Sequence, residues 1–419
     1  MFGVAMKFVA AAVFLALTCT CSLDAAPDWP DFRGPEGTGH APEADVPLKW
    51  SISQSVRWNI DVPGKGWSTP VARGNHFWIT TAVENGGKTD FMAKCFQLRD
   101  GREIWSQTIF SAETPKKHKK NSYASPSPLL VGDQLIAHFG PYGTAALDIK
   151  TGKVNWEQTS LVFKPVHGNG GSPVAAEDRI FFSCDGAANP FVVSLSLADG
   201  SVLWKTPRNV EVSRTFSFST PLRLPQRTGE PALVAIPGSG AVIAYEEATG
   251  KEVWRFDYDE GYSVVPRPVI YEDMLYVCSG FNRAVLFAIR LGGKGDITES
   301  HLAWKNEKAI PKESSPIIVD DLLYLNDDKG VLSCFDAKTG EEIYRERLSG
   351  TGNYSASPVY ASGHLFFHSE NGQTTVVKPG KTFSVAAEND IDGYGLCSFG
   401  VLDDGFLIRT EDSIFRIGK

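Results

Sequence analysis

The sequence predicts an all-β fold, an eight-bladed β-propeller of four-stranded antiparallel blades. A hairpin motif recurs along the chain, a short opening motif recurs in phase with it, and the spacing matches one propeller blade. The clearest hairpin is Ala146-Leu147-Asp148-Ile149-Lys150-Thr151-Gly152-Lys153-Val154-Asn155-Trp156. It reads as a strand, a polar turn and a second strand closed by Trp. Gly152 suits the positive φ of a tight turn, Asp148 can accept N–H groups of that turn, and Trp156 is large enough to seal one unit on the next. Residues 244–254 nearly repeat it, and 334–344 do so with Tyr344 for Trp. Residues 95–105 and 194–204 carry Asp-Gly turns, 288–304 holds six extra residues, and 377–383 is a worn copy ending at Phe383. Repetition at a fixed period marks a repeat architecture.

The units open on a proline, preceded by a small residue in all but the fifth: Thr69-Pro70, Ser127-Pro128, Ser172-Pro173, Thr220-Pro221, Arg267-Pro268, Ser315-Pro316 and Ser357-Pro358. Ser398-Phe399-Gly400 is read as an eighth, with Gly400 in place of proline. The interval from Pro70 to Gly400 divides into seven steps of about 47 residues, the length of a four-stranded blade. Proline is tolerated at a strand start because its missing N–H need not join the ladder. A polar turn follows each opening, then a β-rich run such as Ile180-Phe181-Phe182, then the Trp hairpin.

Eight openings require eight closing strands, and only seven follow their openings. The eighth unit runs to the C-terminus without one. The sequence Val56-Arg57-Trp58-Asn59-Ile60 precedes the first opening. It is expected to pair with the C-terminal strands and close the ring, so that no long sheet edge stays free.

The ends of the chain read differently. Residues 1–26 hold an apolar run, Phe8 to Leu17, too short to span a bilayer and followed by small residues, the pattern of a secretory signal peptide. Cys19 and Cys21 raise a lipid-anchored alternative, although Thr precedes each. Residues 27–47, rich in Pro and Gly, read as an ordered strap or linker, and 48–419 as the propeller. The five remaining cysteines, Cys95, Cys184, Cys278, Cys334 and Cys397, form no C-x-x-C and read as small apolar residues in strands.

The repeated T-G-K-x-x-W hairpins, in phase with the openings, resemble the PQQ-like β-propeller repeat family from about residue 48 to the end. Residues 29–39, Gly170-Gly171-Ser172-Pro173 and Ala288-Ile289-Arg290-Leu291-Gly292-Gly293 are similar to a secreted bacterial branch related to the barrel-assembly propeller lipoprotein of the outer membrane. Enzymes of this fold are quinoprotein alcohol dehydrogenases. The resemblance would imply for an enzyme a vicinal cysteine pair at the quinone, calcium-binding Glu and Asn, and a catalytic Asp. No Cys-Cys occurs after residue 26. No cofactor is therefore expected, neither PQQ nor calcium. Asn326-Asp327-Asp328-Lys329-Gly330 stands where each unit has a hairpin turn and no Glu closes it as a calcium loop. His118, inside Lys116-Lys117-His118-Lys119-Lys120, reads as a solvated basic loop, and no metal ligands or catalytic residues are assigned.

A net charge of −8 argues against a nucleic-acid partner. In an up-and-down blade the middle turn and the inter-blade connection share one face. Their lengths vary here, at 84–90, 106–122, 184–189 and 279–283, and variable loops on a rigid scaffold are where recognition concentrates. Candidates for a binding face are Trp67, Tyr123, His167, Asn169, Arg214, Tyr262, Arg283, Tyr354 and Tyr394. The expected protein is a secreted, monomeric, non-catalytic scaffold, periplasmic or extracellular, with a protein partner in the cell envelope and no membrane span in the mature chain. The alternative is a PQQ- or metal-dependent oxidoreductase.

Overall fold

The computed structural model of the chain describes residue 3 and residues 28–258 and 261–419. Apart from residue 3, the predicted signal peptide lies outside these residues. Eight antiparallel sheets follow one another around a ring. The second blade is typical, with Leu129–Val131 innermost, then Gln134–His138, Thr144–Asp148 and Val154–Gln158 outermost. In the eighth sheet the outer strand is Val56–Asp61, antiparallel to the C-terminal strand Ser413–Gly418. Side chains of neighbouring sheets interdigitate in apolar clusters, each spanning two or more blades.

The Trp hairpin works across the blade boundary. Five of the six indoles lie on the turn glycine of the following blade, Trp58 in close contact with Gly101 and, where a Cβ would overlap the ring, Trp105 on Gly152, Trp156 on Gly200, Trp204 on Gly250 and Trp304 on Gly340; Trp254 is the exception. The indole Nε1 then donates to a turn carbonyl of that blade. Trp156 donates to Leu197 at 2.9 Å, Trp105 to Ile149 at 3.0 Å and Trp204 to Glu247 at 2.9 Å. The turn glycine is thus required twice, for a positive φ of about 70° and for the ring above it.

The opening motif also gains a physical meaning. The N–H of one opening residue donates to the hydroxyl of the next: Thr69 to Ser127, Ser127 to Ser172 and Ser172 to Thr220, and again Arg267 to Ser315, Ser315 to Ser357 and Ser357 to Ser398. These bonds of 2.9 to 3.1 Å form a girdle around the axis. It satisfies backbone donors that proline openings would otherwise leave buried without a partner.

Two alignments made from the sequence shift. In the last blade Ser398 takes the girdle position of Ser357, so Phe399, not Gly400, stands where the prolines stand. In the seventh blade Val376 faces Ala387 across the hairpin, as Ala146 faces Trp156, so Ala387 and not Phe383 holds the Trp place. Trp50, arriving from the N-terminal segment, compensates. It lies against Phe366 and Phe406, with ring centroids 6.1 and 5.7 Å away, at the junction of blades seven and eight.

That N-terminal segment does more than strap the ring. Trp29 bridges to Ala72 of blade one, the Pro30 carbonyl accepts from Leu130 of blade two, and His40–Ala41 adds a parallel strand to blade seven. Arg33, fully buried, donates to the Pro316 carbonyl of blade six at 2.8 Å, and Arg267 of blade five reaches the Phe32 carbonyl and Asp31. Six of the eight blades touch one short segment, which plugs the centre of the ring from the side of the first and third turns. Asp31 is pushed up to about 6 by its burial, against the pull of Arg267.

All five cysteines after residue 26 are buried and unbridged. The acidic stretch 327–330 is a turn, with the Asp327 carboxylate accepting the N–H groups of Lys329 and Val331. The region 84–90, read as a variable loop, is the tip of a long hairpin. His76–Asn85 and Lys88–Gln97 run ten residues each and leave only Gly86-Gly87 for the turn. Both glycines have positive φ, as a two-residue hairpin turn requires.

Candidate functional site

The middle turns and blade connections surround a funnel on the face opposite the plug. Its cavity has a volume of about 350 Å³, and Phe32, carried by the plug, lines its depth. The funnel is therefore a blind pocket and not a pore.

Its wall has two unlike sides. On one, the rings of His118 and His167 lie 5.4 Å apart at centroid, and His167 meets Phe216 edge-on at 5.0 Å. Phe216 in turn meets Tyr262 at 5.6 Å. The Arg214 guanidinium stands 4.5 Å over the Tyr262 ring and also donates to its hydroxyl. Tyr262 completes the series against Phe281, a rim residue that is 49% exposed. Burial, then the neighbouring His118 and Arg214, lower the pKa of His167.

On the other side Lys120 crosses from the connection between blades one and two. Its ammonium lies 2.8 Å from Glu313 and 2.9 Å from Glu370, and donates to Ser355 at 3.2 Å. Tyr394 donates to Glu370 at 3.0 Å and sets its ring edge-on to Trp67. Trp67 donates its indole N–H to the Lys120 carbonyl at 2.8 Å. Burial works against the charge on Lys120, but Glu313 and Glu370 outweigh it and hold its pKa above the ordinary value.

Of the sequence candidates, Trp67, His167, Arg214 and Tyr262 line the funnel together, and Tyr394 backs Trp67. Tyr123 sits outside the cavity, with its hydroxyl on the Pro115 carbonyl and Lys117 over its ring. Arg283 is exposed and paired with Glu307. Two assignments are corrected. Tyr354 is completely buried beside Gly330 and Gly350, and Asn169 is buried beneath Gly140. Both lie before an opening, but the chain there turns its side chain into the core.

His118 and Lys120, read from sequence as members of a solvated basic loop, belong to the wall. Glu313, Ser355 and Glu370 carry no signal in the sequence, since they come from two blade connections and a middle turn far apart in the chain. Among the described residues no three His, Cys, Asp or Glu side chains gather as a metal-binding group. Nor is any helix there long and apolar enough to cross a membrane.

The family model described as outer membrane protein assembly factor BamB matches residues 50–207 and 188–374. The chain belongs to this family. A curated member, the outer membrane protein assembly factor BamB of Burkholderia pseudomallei (strain K96243), is 22% identical over 288 residues, 67% of either chain. The crystal structure of BamB from Moraxella catarrhalis superposes with a TM-score of 0.55 at 14% identity, over 86% of this chain and 99% of that one. The quinohemoprotein alcohol dehydrogenase of Comamonas testosteroni reaches 0.60 at 11% identity, over 94% and 81%. At such identities the two structures share the propeller with this chain, and the fold alone. The BamB family and the dehydrogenases are thus two uses of one ring, and the funnel must distinguish them.

Proposed function

We propose that this chain is a non-catalytic propeller, exported by its first 26 residues, that binds a protein partner in the bacterial cell envelope as a monomeric scaffold. The observation that carries this reading is the character of the funnel face. Half-exposed aromatic side chains and the exposed Arg214 stand on uneven loops around a blind pocket, on a face set rigidly by eight sheets. Aromatics and arginine are the residues that dominate binding energy at interfaces. Membership of a family named for outer membrane protein assembly agrees with it.

The residues present do not fit a quinone held through calcium. Among the described residues no cysteine lines the funnel, and Glu313, the carboxylate in its lining, is already bound to Lys120, as is the buried Glu370. We derive no redox step from them.

A photo-crosslinking amino acid placed at Phe281, on the rim, tests the reading in envelope extracts, with Lys150 on the opposite turns as the control. Discrete protein adducts from position 281 and none from 150 are expected. Equal labelling at both would overturn it. So would dye-linked alcohol oxidation after adding PQQ and Ca²⁺ to the purified chain, which would restore the dehydrogenase reading.

A further inference from the structure

We infer that the funnel receives an acidic peptide segment of the partner, one Asp or Glu side chain next to an apolar one. This deepens the scaffold reading above and rests on it.

The charges of the funnel are unevenly available. Glu313, the carboxylate among the described lining residues, is bound to Lys120, as is the buried Glu370, which also receives the Tyr394 hydroxyl. A ligand would not need to face either as a free anion. The other wall holds Arg214, with no carboxylate among the described residues that line the cavity beside it. Arg214 is exposed and fixed by stacking on Tyr262, which orders a guanidinium before any ligand arrives. A pre-ordered guanidinium is suited to a carboxylate, since the two planar groups match through paired hydrogen bonds. The pocket is therefore locally complementary to negative charge, although the chain carries −8 overall.

Shape narrows the ligand further. A cavity of about 350 Å³, floored by Phe32, has room for two or three side chains and not for a folded element. Trp67, Phe218 and Phe281 give the remaining wall an apolar, aromatic surface. An extended peptide that sets a carboxylate on Arg214 and an apolar side chain over Phe32 uses both sides. Phe281, half-exposed at the rim, would cover the peptide where it leaves.

The test is selection of a randomised heptapeptide library, displayed on phage, on the immobilised full-length protein and on its Arg214→Gln variant. A thermal melt checks that the variant is folded. The selected peptides should carry Asp or Glu beside an aromatic or aliphatic residue and should be lost on the variant. For the strongest peptide, replacing its acid by the amide should weaken binding about tenfold or more, the scale of one hydrogen bond to a charged group. Enrichment without acidic residues, enrichment unchanged by Arg214→Gln, or no enrichment over bare support would each overturn the inference. If crosslinking from position 281 persists in any of these cases, the scaffold reading stands and only the acidic-peptide ligand falls. If both fail, the scaffold reading falls too.

Discussion

Trp156 is 7% exposed and touches two blades at once, its ring on Gly200 and its N–H on Leu197. Removing a large buried aromatic costs roughly 3–5 kcal/mol, a large share of ordinary domain stability. Trp156→Ala should lower the melting temperature sharply. Gly200→Ala should do so too, because its Cβ would overlap the Trp156 ring at a φ of +71°. Trp67→Ala should leave the melt nearly unchanged and instead reduce crosslinking from position 281. The reverse order of Trp156 and Trp67 in paired melts would mean that core and binding face are exchanged. A second residue-scale expectation concerns His138 and His368, which occupy equivalent places in blades two and seven. Each is buried with Nδ1 2.8 Å from a threonine hydroxyl, Thr144 and Thr374. Burial drives their pKa values down, to about 3 and about 4. The unfolded chain binds these protons at higher pH than the folded chain. The stability the neutral rings contribute is therefore complete above about pH 6.5 and lost as pH falls towards 4. Asp31 and Asp185, both raised to about 6 chiefly by burial, act in the opposite sense between about pH 6 and 4. The comparison must therefore be made with a variant. His138→Gln/His368→Gln should lose less melting temperature than the parent between pH 7 and pH 4, and parallel profiles would refute the assignment.

At the scale of the element, the N-terminal segment is a structural part of the ring. Ala387 leaves the Trp place of blade seven unfilled, and Trp50 packs there on Phe366, at the strand position where Trp204 meets Phe181 and Trp304 meets Tyr276. The Asn389 side chain fixes the segment, accepting the Trp50 N–H at 2.7 Å and donating to Leu48 at 3.0 Å. Trp50→Ala should destabilise the chain on the scale of Trp156→Ala, by roughly 3–5 kcal/mol, in a denaturant titration. A cost below about 1 kcal/mol, the range of ordinary surface changes, would show that the segment is a passive linker. Deletion through Ile60 removes Trp50 and the outer strand of blade eight together. It is expected to abolish soluble, cooperatively folding protein, whereas deletion through Ala26 should leave the melt unchanged. Equal melts for the two truncations would place the closing strand elsewhere.

For the whole molecule, the junction of blades eight and one decides whether the ring behaves as one unit. Beside the pairing of Val56–Asp61 with Ser413–Gly418, the buried Arg409 of blade eight donates to the Ser68 hydroxyl and, at 2.8 Å, to the Thr80 carbonyl of blade one. Removing this guanidinium takes away the hydrogen bonds it makes across the junction, worth about 1.5–3 kcal/mol each for a charged donor. Arg409→Met should lower the unfolding midpoint and split a single transition, as blade one loosens first. Tryptophan fluorescence and far-ultraviolet circular dichroism would then no longer coincide. If the two probes stay coincident at an unshifted midpoint, strand pairing alone holds the junction.

The sequence by itself determined the repeat and therefore the fold. Turn glycines, opening prolines and Trp positions are local requirements of φ, of a missing N–H and of ring size, so each leaves a mark at a fixed period. It also marked four residues of the funnel wall, Trp67, His167, Arg214 and Tyr262, because each stands in a connection shortly before an opening. Only the tertiary structure decided the rest. Tyr354 also stands shortly before an opening but turns inward, since the direction of a side chain depends on the packing around it. The meeting of Lys120 with Glu313 and Glu370 joins residues about 190 and 250 positions apart, and no periodic signal encodes a contact across the ring axis. The plug is the plainest case. Residues 28–50 have no repeat, and their role is fixed by partners on six blades that closure of the ring brings to one place.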